Sequence, residues 1–266
     1  MIYQNQLIDY IENHDNFIYP IERREEILYR LYHEKLEDLS VSRPKDELEW
    51  GITYKNHVIY VWFDALINYL TNDNFPNLTH WPAALHIIGK DICWFHAVIW
   101  PCLLFSLHLD CPKTILAHGF VNDCHGYKMS KSLNNVIDPQ DLLCKYNQDV
   151  IRCYLAFNNI GFDLNVGESE LIDFNDSYLY GKFSNLIYRC FSLVTKINDN
   201  KIPNVDAKEL FDIPYLDNQI NDYLQNYQIK DILVLLFNHI DQVNVYFTNE
   251  KPWRSNENSL IVLKTS

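Results

Sequence analysis

Two lysines three positions apart, Lys128 and Lys131, stand in the run Lys128-Met129-Ser130-Lys131-Ser132. A lysine ammonium is a compact point charge on a flexible stem, so it can follow a phosphate group as the phosphate moves. Ser130 and Ser132 can hydrogen-bond the nearby backbone and shape a loop, and Met129 offers it an apolar anchor. These residue types admit two readings, a solvated basic turn or a loop that meets phosphates. His118-Gly119 lies ten residues upstream at the end of an apolar run, and Asn134-Asn135-Val136-Ile137-Asp138-Pro139 follows.

The elements that must hold such a loop are legible around it. Residues 1–37 read as two helices, with Pro20 opening the second and Glu22, Glu25 and Glu26 in its early turns. Val58 to Phe63 is aromatic and β-branched, hence strand-like, and runs into a helix beginning near Asp64. Residues 85–88 form a short buried strand ending at Gly89, a helix follows from about 90 to 108 with a kink at Pro101, and residues 114–117 form another strand. Strand, helix and strand in alternation predict a parallel sheet with crossover helices. Sites in such sheets lie beyond the carboxyl ends of the strands, where Trp62, Gly89 and His118 are expected. From Pro139 helical signals dominate: one or two helices to about Asn158, a long pattern over 168–198, a polar linker from Asn200 to Pro214, and a further helix over 217–249. Taken singly, Trp62 and Tyr69 read as core aromatics, and His96 as a hydrogen-bonded core histidine. Asp91 reads as a carboxylate at a helix N-terminus.

Composition narrows the classes. The chain has 266 residues, 48% of them hydrophobic, enough to bury one large core or two smaller ones. A net charge of −13 argues against broad nucleic-acid binding and leaves room only for local positive surface, for which Lys128, Lys131, Lys182 and Arg189 are the candidates. The seven cysteines are odd in number and include no Cys-x-x-Cys, so neither disulfides nor a metal site is expected. No run of 18 apolar residues exists, so no membrane span is expected, and the first residues lack a signal-peptide pattern.

The lysine run resembles the second signature loop of class I aminoacyl-tRNA synthetases, with His118-Gly119 matching the family's His-Gly beside adenine. From Pro20 to Trp253 the chain resembles the methionyl-tRNA synthetase family of bacterial and mitochondrial type. Val61-Trp62-Phe63-Asp64-Ala65-Leu66 and Gly89-Lys90-Asp91-Ile92-Cys93-Trp94-Phe95-His96 are similar to its methionine-pocket segments. Asp38 to Arg43, with Trp50-Gly51-Ile52, is similar to the segment entering the second half of its nucleotide-binding fold.

The resemblance implies an α/β chain: the second half of a Rossmann-like parallel-sheet catalytic domain over residues 1–167, then a truncated α-helical anticodon-binding domain over 168–266. It implies ATP with Mg²⁺, methionine and the methionine tRNA as reactants and partners. Lys131, then Lys128, would be the catalytic contacts to phosphate, and His118, Gly119, Gly89 and Asp91 would complete the ATP set. Trp62, Ala65, Leu66, Tyr69, Ile92 and His96 would line the methionine pocket. Ile92 and His96 are four apart and share a helix face. Aromatic rings suit a polarisable thioether, and a Tyr69 hydroxyl or His96 N–H could distinguish sulfur from a methylene. Asn185 and Arg189, with Pro252-Trp253, would read unstacked anticodon bases.

Two departures from the family carry expectations. Asn134 replaces a usual glycine, and asparagine tolerates the left-handed backbone that this implies. The first signature, His-x-Gly-His, is missing. Met1 is therefore expected to be an internal position of a longer protein, whose upstream half is needed for activity. Residues 254–266 match nothing and are expected to fray. The alternatives are a non-catalytic or decayed tRNA-binding fragment, a class I synthetase for another apolar amino acid, and a small-molecule nucleotidyltransferase of the same superfold. The compartment implied is the cytoplasm of a bacterial type or the mitochondrial matrix.

Overall fold

Leu7, Ile8 and Ile11 form one buried stripe on helix α1 (Gln4–Asn13), and Ile27 and Leu31 form another on α2 (Ile21–His33). The computed structural model describes residues 2–46, 50–199, 201, 203–206, 210–254 and 256–265, without the side chains of 256–258. It divides into two units, Met1–Phe120 and Val121–Ser266.

In the first unit the two expected helices are present, but a strand, β1 (Ile18–Tyr19), separates them. Two residues are too few for an alternation to show in sequence; Phe17 and Ile18 are nonetheless fully enclosed. Between Ser42 and Ile59 lies an antiparallel sheet of β2 (Ser42–Pro44), β3 (Thr53–Tyr54) and β4 (His57–Ile59), in the order β2-β4-β3. The strand expected over 58–63 stops at Ile59, and helix α3 (Val61–Thr71) begins at once. Trp62 therefore stands in the first turn of a helix and not at a strand end. The β-branched and aromatic composition of this stretch suits burial against neighbours as well as it suits a strand. Residues 47–49 of the Asp38 to Ile52 segment lie outside the described residues.

Strand β5 (His86–Gly89) and β6 (Ile115–His118) complete a parallel sheet in the order β1-β6-β5. Its registers pair Ile18 with Ile115 and Gly89 with His118. The crossover between β5 and β6 is a helix whose winding changes along its length. It opens as a 3₁₀ turn (Lys90–Ile92), widens to a π turn (Phe95–Ile99) and ends as α4 (Trp100–Ser106). Pro101 lacks an N–H and its ring crowds the preceding turn; the wide turn lies just where that crowding falls. Trp100, Leu104, Ala97 and Val98 are fully enclosed, and with Leu66, Leu70, Ile115 and Ala117 they form the core of this unit.

In the second unit β7 (Val121–Asn122) pairs in parallel with β8 (Leu164–Asn165). Between them lie α5 (Pro139–Lys145) and α6 (Gln148–Ala156), capped by the Asp138 and Asn147 side chains, which accept from the backbone N–H groups of Gln140 and Asp149. The long helical pattern over 168–198 is one continuous helix in three windings: α7 (Glu168–Phe174), a ten-residue π segment (Asn175–Ser184) and α8 (Asn185–Ile197). Gly181 permits the π segment, because a Cβ there would lie 2.4 Å from the Asp176 carbonyl oxygen. Gly181→Ala is expected to lower stability by at least about 1 kcal/mol, read as a lower urea midpoint at an unchanged slope.

The pattern expected over 217–249 is two helices, α9 (Ile213–Gln225) and α10 (Ile229–Glu250), broken where Tyr227 adopts a positive φ. Asn200, Ile202 and residues 207–209 of the expected linker lie outside the described residues. The end of the chain does not fray as expected. Residues Asn256–Thr265 form α11, whose Val262 and Leu263 pack with Phe247 of α10. A short end becomes helical once a neighbouring helix supplies an apolar face, which local sequence does not display.

Candidate active site

At the carboxyl edge of the parallel sheet, the β5–β6 register sets Gly89 beside His118. A Cβ on Gly89 would meet the Asp91 carboxylate oxygen at 2.7 Å and His118 Cε1 at 4.0 Å. Glycine there lets Asp91 and the imidazole approach the same backbone. His118 Nδ1–H donates to the Gly119 carbonyl at 2.8 Å, so its Nε2 is left as an acceptor. The Lys90 ammonium lies 4.6 Å from the centre of the Phe120 ring. Gly89, Asp91, His118 and Gly119 are thus one constellation. Gly89→Ala is expected to displace the Asp91 carboxylate and to lower stability by about 1 kcal/mol or more, read as a lower urea midpoint at an unchanged slope.

A nest of aromatic rings adjoins this edge. Trp62, Ala65 and Tyr69 of α3 are three and four residues apart and share a face. Trp62 stacks on Phe95 at 4.1 Å with the planes 9° apart, and its edge meets His96 at 6.0 Å. The Tyr69 hydroxyl and His96 Nε2 are 3.0 Å apart, while His96 Nδ1 lies 3.0 Å from the Ile92 carbonyl. The carbonyl can only accept, so Nδ1 carries the proton and the tyrosine donates to Nε2. Burial holds the His96 pKa below its usual value, against the opposing pull of that carbonyl, and burial raises that of Tyr69. In this arrangement both of the donors that could meet a thioether are engaged with protein acceptors. Ala65 is exposed and Ile92 half-buried, whereas Leu66, at 1% exposure, belongs to the core.

Sequence reasoning missed three members of this nest. Phe95 is the stacking partner of Trp62, and His86 lies 4.3 Å from the Tyr69 ring. Trp100 is fully enclosed and lies within 6 Å of Tyr69. Only the i, i+4, i+8 spacing of Ile92, His96 and Trp100 signalled a shared face. Burial, and then the neighbouring His96, push the His86 pKa down to about 4. This histidine is neutral when folded and binds a proton more readily when unfolded. Its contribution is therefore complete above the ordinary histidine range and is lost as pH falls from about 6.5 towards 4. At pH 5 the loss is about 2 kcal/mol, expected as a drop in urea stability between pH 7 and 5 that shrinks in His86→Phe.

The second unit carries the lysine run. Lys128 and Lys131 are exposed, and Met129 is partly buried against the cluster of Tyr154, Leu171, Phe174 and Phe237. Lys131–Leu133 forms a single 3₁₀ turn, capped by the Ser130 hydroxyl, which accepts from the Leu133 N–H. Asn134 ends the turn in the left-handed region, at φ 50° and ψ 34°, as expected of a residue standing in for glycine. Asn135 and Asp123 support the run from below. Neither was singled out for this role, although the Asp123-Cys124-His125-Gly126 string is a turn signature.

Further along this unit, Asn185 opens α8 and donates to the Gly181 carbonyl at 3.4 Å. Arg189 donates to Asn244 Oδ1 at 3.4 Å and Thr248 Oγ1 at 3.1 Å, with its guanidinium 4.8 Å from the Phe247 ring centre. Pro252 is buried, and the half-exposed Trp253 lies tilted against the same Phe247 at 6.1 Å. Phe247 thus brings Arg189 and Trp253 to one place on α10. Tyr180 and Tyr188 are largely exposed.

The fold is that of the class I synthetases. A structure of Mycobacterium tuberculosis methionyl-tRNA synthetase in complex with methionyl-adenylate superposes with a TM-score of 0.86 at 31% identity, over 99% of this chain and 55% of that one. The family described as tRNA synthetases class I (M) matches residues 2–191, and the chain belongs to it. The methionine–tRNA ligase of Rickettsia bellii is 39% identical over 269 residues, covering 94% of this chain and 52% of that protein. That of Thermotoga maritima is 37% identical, covering 94% and 42%. The chain spans about half the length of the curated relatives it matches.

Proposed function

We propose that this chain supplies the lysine-loop half of an enzyme that activates methionine with ATP and transfers it to tRNA. The observation that carries the reading is the junction, within one unit, of a nucleotide-type strand edge at Gly89, Asp91 and His118 with the aromatic nest around the Tyr69–His96 hydrogen bond. A methionine carboxylate oxygen attacks the α-phosphorus of ATP, the bond to the bridging oxygen breaks, and pyrophosphate leaves with its electron pair. A ribose hydroxyl at the end of the tRNA then attacks the adenylate carbonyl and AMP departs.

Lys131, with Lys128, stabilises charge on the α-phosphate and pyrophosphate; such a step is governed by positioning and electrostatics. His118 and Gly119 hold the adenine side, while Asp91 meets the ribose or the substrate amine. Trp62, Ala65, Ile92, Tyr69 and His96 surround the methionine side chain, and Leu66 supports them from the core. Mg²⁺ would accompany ATP and would supply neutralising charge at its phosphates. Among the described residues no group of three or more His, Cys, Asp or Glu gathers to hold a metal ion.

Residues 1–167 serve activation and 168–266 serve tRNA, a functional division that falls inside the second structural unit. Arg189 and Trp253, which both pack on Phe247, and Asn185, one turn before Arg189 on α8, meet anticodon bases, with the base edges reached by the guanidinium donors that Asn244 and Thr248 leave over. No described helix is long and apolar enough to cross a membrane, and we place the enzyme in the bacterial cytoplasm or mitochondrial matrix, where tRNA is charged.

Methionine-dependent ATP–pyrophosphate exchange tests the reading, with the chain alone and with the proposed upstream half of the catalytic domain added. Exchange in either case supports it. Exchange with another apolar amino acid in preference to methionine overturns the choice of substrate. Binding of tRNA with no exchange in either mixture favours a non-catalytic tRNA-binding chain.

A further inference from the structure

The lysine run is held by one side chain that reaches it at two points and ties it to Asp123. Asn135 Oδ1 accepts from the Ser130 N–H at 2.9 Å, in the middle of the run. Its Nδ2 donates to Asp123 Oδ2 at 2.8 Å and, more weakly, to the Lys128 carbonyl at 3.4 Å. Asp123 is itself fixed, because its Oδ1 accepts the backbone N–H groups of His125 at 3.0 Å and Tyr127 at 2.8 Å. That turn continues into the Asn122–Lys128 bridge, and Asn122 belongs to β7. The chain of contacts therefore runs from strand to turn, from turn to Asn135, and from Asn135 to the backbone between the two lysines.

We infer that Asn135 and Asp123 are positioning residues that latch the lysine loop, fixing the backbone between Lys128 and Lys131 so that both ammonium groups project from a defined turn. The inference rests on the phosphate-binding role proposed above for those lysines. An amide is the one side chain of this size that can accept from Ser130 and donate to a carboxylate together. The carboxylate draws the donor end of that amide towards itself, so the acceptor end faces the loop. Asn134, in the left-handed region, turns the chain back so that Asn135 lies under the run it follows. Met129 supplies the apolar side of the same attachment. The loop is thus tied at Met129 and Ser130 while the lysine side chains stay exposed.

The pair predicts its own rescue. Asn135→Asp sets two carboxylates face to face and should release the loop. Adding Asp123→Asn restores one donor facing one acceptor. The carboxylate introduced at position 135 would still accept from Ser130. The amide introduced at position 123 would donate to that carboxylate while accepting from His125 and Tyr127. Only the weak contact to the Lys128 carbonyl is lost.

Amide hydrogen exchange on the 266-residue chain without nucleotide measures the latch directly, so its failure is separable from failure of the ATP reading. The Ser130 amide should exchange roughly tenfold faster in Asn135→Ala and Asn135→Asp, the worth of one lost hydrogen bond. It should return to near the native rate in the Asp123→Asn, Asn135→Asp double variant. Tryptic cleavage after Lys128 and Lys131 should rise and fall in the same order. An unchanged Ser130 rate in Asn135→Ala overturns the latch. If exchange rises throughout the second unit in the single variants, the double variant decides: restored protection supports the pairing, and continued loss overturns it. With the upstream half added, pyrophosphate exchange should lose kcat in the single variants at an unchanged KM for methionine, and recover it in the double. A loss of kcat that persists in the double variant while Ser130 protection returns overturns the positioning role.

Discussion

Lys131→Ala is expected to slow methionyl-adenylate formation by about 10²–10³-fold, the usual cost of removing one group that stabilises transition-state charge. In the role proposed for it the ammonium acts where negative charge grows, on the α-phosphate and the departing pyrophosphate, away from the amino acid side chain. Methionine affinity should therefore change little, and kcat and kcat/KM for ATP should fall together. Pre-steady-state measurement of adenylate formation, with the upstream half present, separates the two. An unchanged rate would remove Lys131 from the chemistry. Lys128→Ala should show a smaller effect of the same kind.

His96→Ala should raise the KM for methionine by at least about tenfold. The substitution takes from the partly exposed Tyr69 hydroxyl its 3.0 Å acceptor, a loss of about 0.5–1.5 kcal/mol for one hydrogen bond. It also opens space behind Trp62, whose ring edge meets the imidazole. Tyr69→Phe removes the hydroxyl alone and should cost roughly tenfold, within the range for one hydrogen bond. The two effects should not add, because both substitutions break the same pair. Discrimination against leucine should fall with His96→Ala, since an apolar pocket alone separates similar side chains by only about 1–3 kcal/mol. Unchanged methionine KM and unchanged discrimination would detach the nest from substrate binding.

The two substitutions lie on either side of what local sequence could reveal. Lys131 was legible from its neighbours alone, because a short loop with special chemistry carries its signal in consecutive residues. The strand–helix–strand rhythm from His86 to His118 was equally legible, and with it the placing of Gly89 and His118 at strand ends. Periodicity and β-branching are properties of a few adjacent residues, so they survive without a fold. The family could be read for the same reason, from segments that stay contiguous in the chain.

Pairing across long separations was decided by tertiary structure. Nothing near Ile18 announces a strand; it becomes one because β6 offers it a parallel partner. Val61 to Phe63 has the composition of a strand and becomes a helix because the antiparallel sheet ends at Ile59. The last residues form α11 because Phe247 provides the apolar surface that a short helix needs in water. In the nest, sequence could place Tyr69 and His96 on helix faces but could not show that they would meet each other. The meeting engages their polar atoms with protein partners, a question of three-dimensional hydrogen-bond satisfaction that no spacing rule answers. Asn135 is the same case on a small scale. Its type was visible beside the lysines, and its task follows only from Asp123, twelve residues back, which the turn at His125 and Gly126 folds beneath it.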